Sequence, residues 1–88
     1  MLLTSSYNMY FYVFFKNNTT GMFSRILNQI ERFGFKVKSI EDISAFADKD
    51  YVEIYIHVVE DIGIAKKVEN KIKKIIDVID CQFILKIK

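Results

Sequence analysis

The residues best able to recognise a ligand lie in one polar run, Asn17-Asn18-Thr19-Thr20-Gly21, between an aromatic segment and a helical one. Gly21 permits close backbone approach, and the first amides of a helix starting at Met22 have no intrahelical carbonyl to meet. They point outward at the positive end of the helix dipole, which suits a carboxylate. As local structure alone, the same run is a tight turn with Thr20 as helix N-cap. The other reactive side chains stand alone. His57 is the single histidine, and general acid/base work would need a nucleophile or a second positioned group beside it. None is evident, so His57 reads as a structural or interface residue. Cys81 is the single cysteine; it reads as packed, and it rules out an internal disulfide or a thiolate zinc site. A reducing, cytoplasmic setting is the expectation. The phosphate-cradling, dinucleotide-binding and HExxH motifs are all missing, and no cofactor or metal is expected. The chemistry on offer is binding.

The elements that must position these residues follow from hydrophobic spacing. Residues 1–8 form a polar leader, expected to be loose, and residues 9–88 a single domain. Residues 9–16 (MYFYVFFK) are aromatic and apolar on both faces, which predicts a central strand. From Met22 the period becomes helical, with Met22, Phe23, Ile26, Leu27, Ile30 and Phe33 on one stripe. Gly34 sits where a helix end wants a left-handed residue. A second strand is predicted over 35–45, a hairpin turn over 47–50, and a third strand over 51–59. Val52, Ile54, Ile56 and Val58 share one face of that strand; Tyr51, Glu53, Tyr55 and His57 share the other. A second helix, capped by Asp61, is predicted to bury Ala65, Val68, Ile72, Ile75 and Ile76. A last strand covers 78–87.

The β-α-β-β-α-β order predicts a ferredoxin-like α+β sandwich, a four-stranded antiparallel sheet with both helices on one face. Right-handed crossovers put strands one and three in the middle. The other sheet face would then carry Tyr51, Tyr55 and His57, with one of two aromatic sets from strand one (Tyr10, Tyr12 and Phe14, or Phe11 and Phe15). Such a surface marks an interface, and tyrosines bring it both apolar area and a hydroxyl.

Length and charge narrow the classes further. At 88 residues the chain builds one core, and so small a fold often gains support from a partner chain. A net charge of +2 is too weak to argue for a polyanionic partner. Lys66, Lys67, Lys71, Lys73 and Lys74, interleaved with Asp61, Glu69 and Asp77, read as a solvated helix face. Residues 1–15 have no basic n-region and fall short of the roughly 20 apolar residues that span a bilayer. The chain is expected to be neither secreted nor anchored.

One stretch carries a resemblance. VFFKNNTTGMFSRILNQIERFGFKVKSI runs from a strand through a turn ending in Gly21 to a helix, then Gly34-Phe35 and a strand closing on Ser39-Ile40. This resembles the ACT family, whose pattern is Asp or Asn, two residues, Gly, a helix, a Gly-apolar step and a Ser-Ile or Ser-Leu strand. KIKKIIDVIDCQFI is similar to the leucine-valine-aspartate-valine finish of acetolactate (acetohydroxyacid) synthase small subunits, here Ile75-Ile76-Asp77-Val78. Together the matches cover residues 10–85. The resemblance implies an amino-acid effector bound at the turn, across a dimer interface against the neighbour's second strand. By position, Asn18 matches the family's Asp or Asn and Gly21 its Gly. The implied effector set is Asn18, Thr19, Thr20, Gly21, Met22 and Phe23, with Lys36 and Val37. Two positions depart from the pattern: Thr20 stands where many members have Pro, and Lys36 where synthase subunits often have Asn.

The function implied is a non-catalytic regulatory subunit, a homodimer or higher homo-oligomer that assembles through sheet edges or helices. It would bind and activate a thiamine-dependent catalytic subunit and sense valine or a similar branched-chain amino acid. The alternative is an amino-acid-sensing ACT domain of another system, such as a stringent-response synthetase. An RNA-recognition module shares the topology. However, YVEIYIHV lacks the basic-Gly-aromatic motif and sets Glu53 mid-sheet, where phosphates would be repelled. No nucleic-acid partner is expected. An acylphosphatase-like enzyme would need an arginine in the first loop, and Arg25 is already inside the helix, with Arg32 near its end.

Overall fold

The computed structural model describes residues 7–17, 21–44, 50–59 and 63–87. The chain runs β1 (Tyr7–Lys16), α1 (Met22–Arg32), β2 (Lys36–Asp42), β3 (Tyr51–Val59), α2 (Ala65–Lys73) and β4 (Val78–Ile87). The strands form one antiparallel sheet in the order β2-β3-β1-β4. This is the ferredoxin-like arrangement, with the two richest β segments at its centre.

Alternation decides which side meets the helices. Phe11, Val13 and Phe15 of β1 and Ile54, Ile56 and Val58 of β3 are fully buried, together with Met22, Ile26 and Ile30 of α1 and Val68 and Ile72 of α2. Complete burial of each such side chain contributes about 1.5–3 kcal/mol. Tyr10, Tyr12 and Phe14 therefore turn to the opposite face, which settles the choice between the two aromatic sets.

Several boundaries differ from the spacing-based expectation. β1 begins at Tyr7 instead of residue 9. β2 ends at Asp42 because its carboxylate accepts the Ser44 amide at 2.9 Å. The Ser44 hydroxyl then accepts the Glu53 amide at 2.9 Å, so a side chain continues the ladder. α2 starts at Ala65, with Ile64 at the N-cap position, and not after Asp61, which lies outside the described residues. α1 is capped at Gly21; Thr20, like residues 47–49 of the expected hairpin turn, also lies outside them.

Two side chains leave their expected stripes. α2 stops at Lys73, and the chain turns through Asp77 at φ 76°, leaving Ile76 77% exposed. Phe23 is 39% exposed, with its ring edge-on to Phe15 at 5.5 Å. A third goes the other way. Glu69 is only 6% exposed, so the helix surface that bears it is not wholly solvated.

Candidate functional site: the turn before the first helix and the open sheet face

The end of β1 is held from two sides. The Lys16 amide donates to the Asp77 carbonyl at 2.8 Å, and the Asn17 amide to the Asp50 carbonyl at 2.7 Å. Gly21 then opens α1 at φ 90° and ψ 11°, and its carbonyl accepts the Arg25 amide at 3.0 Å. Among the described residues no side chain caps this helix, and its first turn holds no acidic group. Among the described residues, the positive end of the helix dipole meets no acidic side chain from its own first turn.

Gly21 owes its identity to that backbone angle. A β-carbon there would meet nothing within 4 Å, but φ lies in the left-handed region. Gly21→Ala is expected to cost about 1–2 kcal/mol, from backbone strain alone. Urea midpoints of the two proteins measure it.

The other expected effector residues are distributed differently. Met22 sends its side chain into the core, so only its backbone can face a ligand. Lys36 and Val37 begin β2, beyond the far end of α1. Eleven helical residues separate them from Gly21 by about 16 Å. Within one chain they do not meet; only a second copy could set Lys36 against the turn. Val37 packs against the core, leaving Lys36 as the exposed member. Asn18, Thr19 and Thr20 lie outside the described residues.

The open face is a continuous aromatic platform. Tyr10 stacks on His57 at 4.8 Å and meets Tyr55 edge-on at 5.8 Å. Tyr12 lies 5.8 Å from Tyr55, and Phe14 lies 6.0 Å from Tyr51. The Tyr12 hydroxyl donates to Glu53 Oε2 at 2.5 Å. Burial, then that hydrogen bond and the Glu53 charge, push the Tyr12 phenol well above its ordinary range. It stays a neutral donor. Lys86, which sequence reasoning missed, reaches across β1 to place Nζ 4.8 Å from the Tyr55 ring and 5.5 Å from Tyr10. The alternation Asp80, Gln82, Ile84, Lys86 along the last strand was the signal that could have found it.

The remaining reactive groups do not assemble. Among the described residues no three His, Cys, Asp or Glu side chains cluster as metal ligands. No helix there is long and apolar enough to cross a membrane. Cys81 is buried on β4; desolvation, then the Glu69 and Asp80 charges, push its thiol from 9.0 up to about 12. Its thiolate fraction near neutral pH should fall roughly a thousandfold. Ellman's reagent should therefore leave native Cys81 untouched and label it promptly in guanidinium.

Comparison with known proteins adds the following. The sequence model of a family described as "ACT domain" matches residues 18–81. No curated protein sequence matches the chain significantly. The crystal structure of the ACT domain from GTP pyrophosphokinase of Chlorobium tepidum superposes with a TM-score of 0.66 at 14% identity, covering 88% of this chain and 96% of that one. The solution structure of the same domain gives 0.63 at 14% identity, covering 88% and 84%. The C-terminal domain of the MgtC protein from Mycobacterium tuberculosis gives 0.70 at 9% identity, covering 98% and 94%. At such identities the structures share a fold.

Proposed function

We propose, proceeding from the fact that this chain belongs to the ACT domain family, that it senses an amino acid at the start of α1 and regulates a catalytic partner. ACT domains are regulatory, ligand-binding modules. The observation that carries the reading is Gly21 at φ 90°, opening a helix whose first turn holds no acidic group. An amino-acid carboxylate satisfies those amides and the dipole together. Lys36 from a neighbouring copy would supply a second charge, which fits its place at the start of an exposed edge strand.

The edges of the sheet differ in a way that supports docking at β2. On β4 the Cys81 amide is taken by Asp80 and the Phe83 amide by Glu69, at 2.9 and 2.8 Å. Such blocking discourages strand addition at that side. β2 is exposed along most of its length, with Ile40 at 41%.

The finer reading is the small subunit of acetolactate synthase, bound to its thiamine-dependent catalytic subunit and responsive to a branched-chain amino acid. Its support is the run Ile75-Ile76-Asp77-Val78, which forms the turn whose Asp77 carbonyl clamps the end of β1. Regulation requires the effector to favour one arrangement of the complex over another. Calorimetry against a panel of amino acids, followed by mixing with the catalytic subunit from the same source, tests both steps. Saturable heat for valine or a close analogue, and raised synthase activity, are expected. No heat with any amino acid would refute effector sensing. Binding without an effect on the synthase would move the assignment to an ACT sensor of another system, such as a stringent-response synthetase.

A further inference from the structure

We infer that the open sheet face pairs with the same face of a second copy, with the two sheets' strands pointing in opposite directions. The inference does not depend on effector binding.

The first argument is composition and position. Tyr10, Tyr12 and Phe14 line up with His57, Tyr55 and Glu53 across the β1–β3 ladder. Among the described residues no helix covers them, because both helices pack on Phe11, Val13 and Phe15 behind the sheet. An aromatic area of this kind, ringed by charges, has the anatomy of an interface core and rim.

The second argument is area. Strands about 4.8 Å apart that rise roughly 3.3 Å per residue give a four-stranded face of about 600 Å². Side-chain relief raises the accessible area further. A standard interface buries about 800 Å² on each partner, so the whole face is the right size and a fraction of it is not.

The third argument fixes the orientation. Lys36 pairs with Val59 on β2–β3, and Lys86 with Asn8 on β4–β1, so both lysines lie at one end of the face. Asp80 pairs with Phe14, Glu53 also pairs with Phe14, and Glu41 pairs with Tyr55, so the acids lie toward the other end. Among the described residues, Lys16 is the one base placed at that acidic end, opposite Tyr51. Stacking two copies in the same direction would set like charges together. A two-fold axis lying between the sheets and across the strands sets each basic end over an acidic one. The surface is thus self-complementary, as an isologous dimer demands.

Sedimentation of the full chain across the micromolar to millimolar range tests this, with circular dichroism to check each variant's fold. The parent chain should sediment as a dimer. Tyr55→Asp should weaken association on the order of a hundredfold, the size expected for a central aromatic anchor. Lys86→Glu, an exposed change that spares the core, should weaken it on the order of tenfold. Asp80→Lys should do the same, and combining Lys86→Glu with Asp80→Lys should restore it. A monomer at every concentration would overturn the proposal. So would a dimer that survives Tyr55→Asp but is lost in Ile40→Asp on the β2 edge. Failure of the charge swap to restore association would overturn the antiparallel orientation. A folded monomeric Tyr55→Asp that still binds an amino acid would show that effector sensing stands apart.

Discussion

Phe11→Ala is expected to lower the unfolding free energy by about 3–5 kcal/mol, the usual loss for removing a large aromatic side chain from a core. Phe11 is fully buried in the central strand. Its ring meets Phe35 edge-on at 5.3 Å and Phe83 at 5.0 Å, and those two lie 6.2 Å from each other. The trio joins β1 to the exit of α1 and to the edge strand β4. Removing its centre strips both rings of a partner and leaves a void between rigid strands. At roughly 0.05–0.15 kcal/mol per residue, a chain this long has only about 4–13 kcal/mol to lose. The variant should therefore sit close to unfolding. Urea titration followed by circular dichroism measures the effect, with Phe14→Ala on the open face as the control. Phe14 is only half-buried, and its loss should cost less than half as much. Equal costs for the two would contradict the layering of the sheet.

The second large effect belongs to Glu69. One carboxylate oxygen accepts the Phe83 amide at 2.8 Å; the other receives Lys66 at 2.8 Å and lies 3.5 Å from Lys73. Glu69→Ala leaves a β4 amide without its acceptor and should cost about 2 kcal/mol. The pH dependence is a sharper signature. Burial alone would raise the Glu69 pKa. The hydrogen bonds from Lys66 and the Phe83 amide, with the charges of both lysines, outweigh it and hold the group below its ordinary 4.5. A carboxyl depressed on folding contributes stability that is fully present above its unfolded value. That contribution is lost as pH falls through the folded value. Stability should therefore decline below about pH 4.5, and Glu69→Gln should flatten that decline. Asp42, held low by its hydrogen bonds to Ser44, adds to the acid limb in the same direction. The test is therefore the difference between variant and parent across a pH series of urea midpoints. Parallel acid limbs would show that Glu69 carries no such linkage.

These two residues differ in how visible they were beforehand. Phe11 belongs to a strand whose character is plain from its aromatic run, although both of its faces were apolar enough to serve as the core. Glu69 looked like one more charge on a lysine-rich helix surface. Nothing in its neighbourhood along the chain marks it as buried, because its key partner is the amide of Phe83, 14 residues away. The turn before α1 was legible for a similar reason to β1. Glycine before a helical period is a local signal, and Gly21 does take the left-handed angle. The separation of Lys36 from that turn was not legible, since it depends on which way α1 carries the chain.

Hydrophobic spacing determined the order of strands and helices, the apolar stripe of α1 apart from Phe23, and the two faces of β3, while a single glycine marked the turn. The ACT-like pattern from strand one to strand two was equally readable, as a run of short-range steps. All of these rest on periods of two or 3.6 residues, or on one residue's backbone freedom. Only the tertiary structure decided that Tyr10, Tyr12 and Phe14 face outward, that Lys86 reaches over Tyr10 and Tyr55, and that Ile76 leaves the core. It also brought Tyr12 to Glu53 across 41 residues. These outcomes depend on which strands become neighbours and how far a side chain reaches across them. Local spacing assigns a residue such as Lys86 to one face of its own strand, but not the neighbour that its side chain reaches.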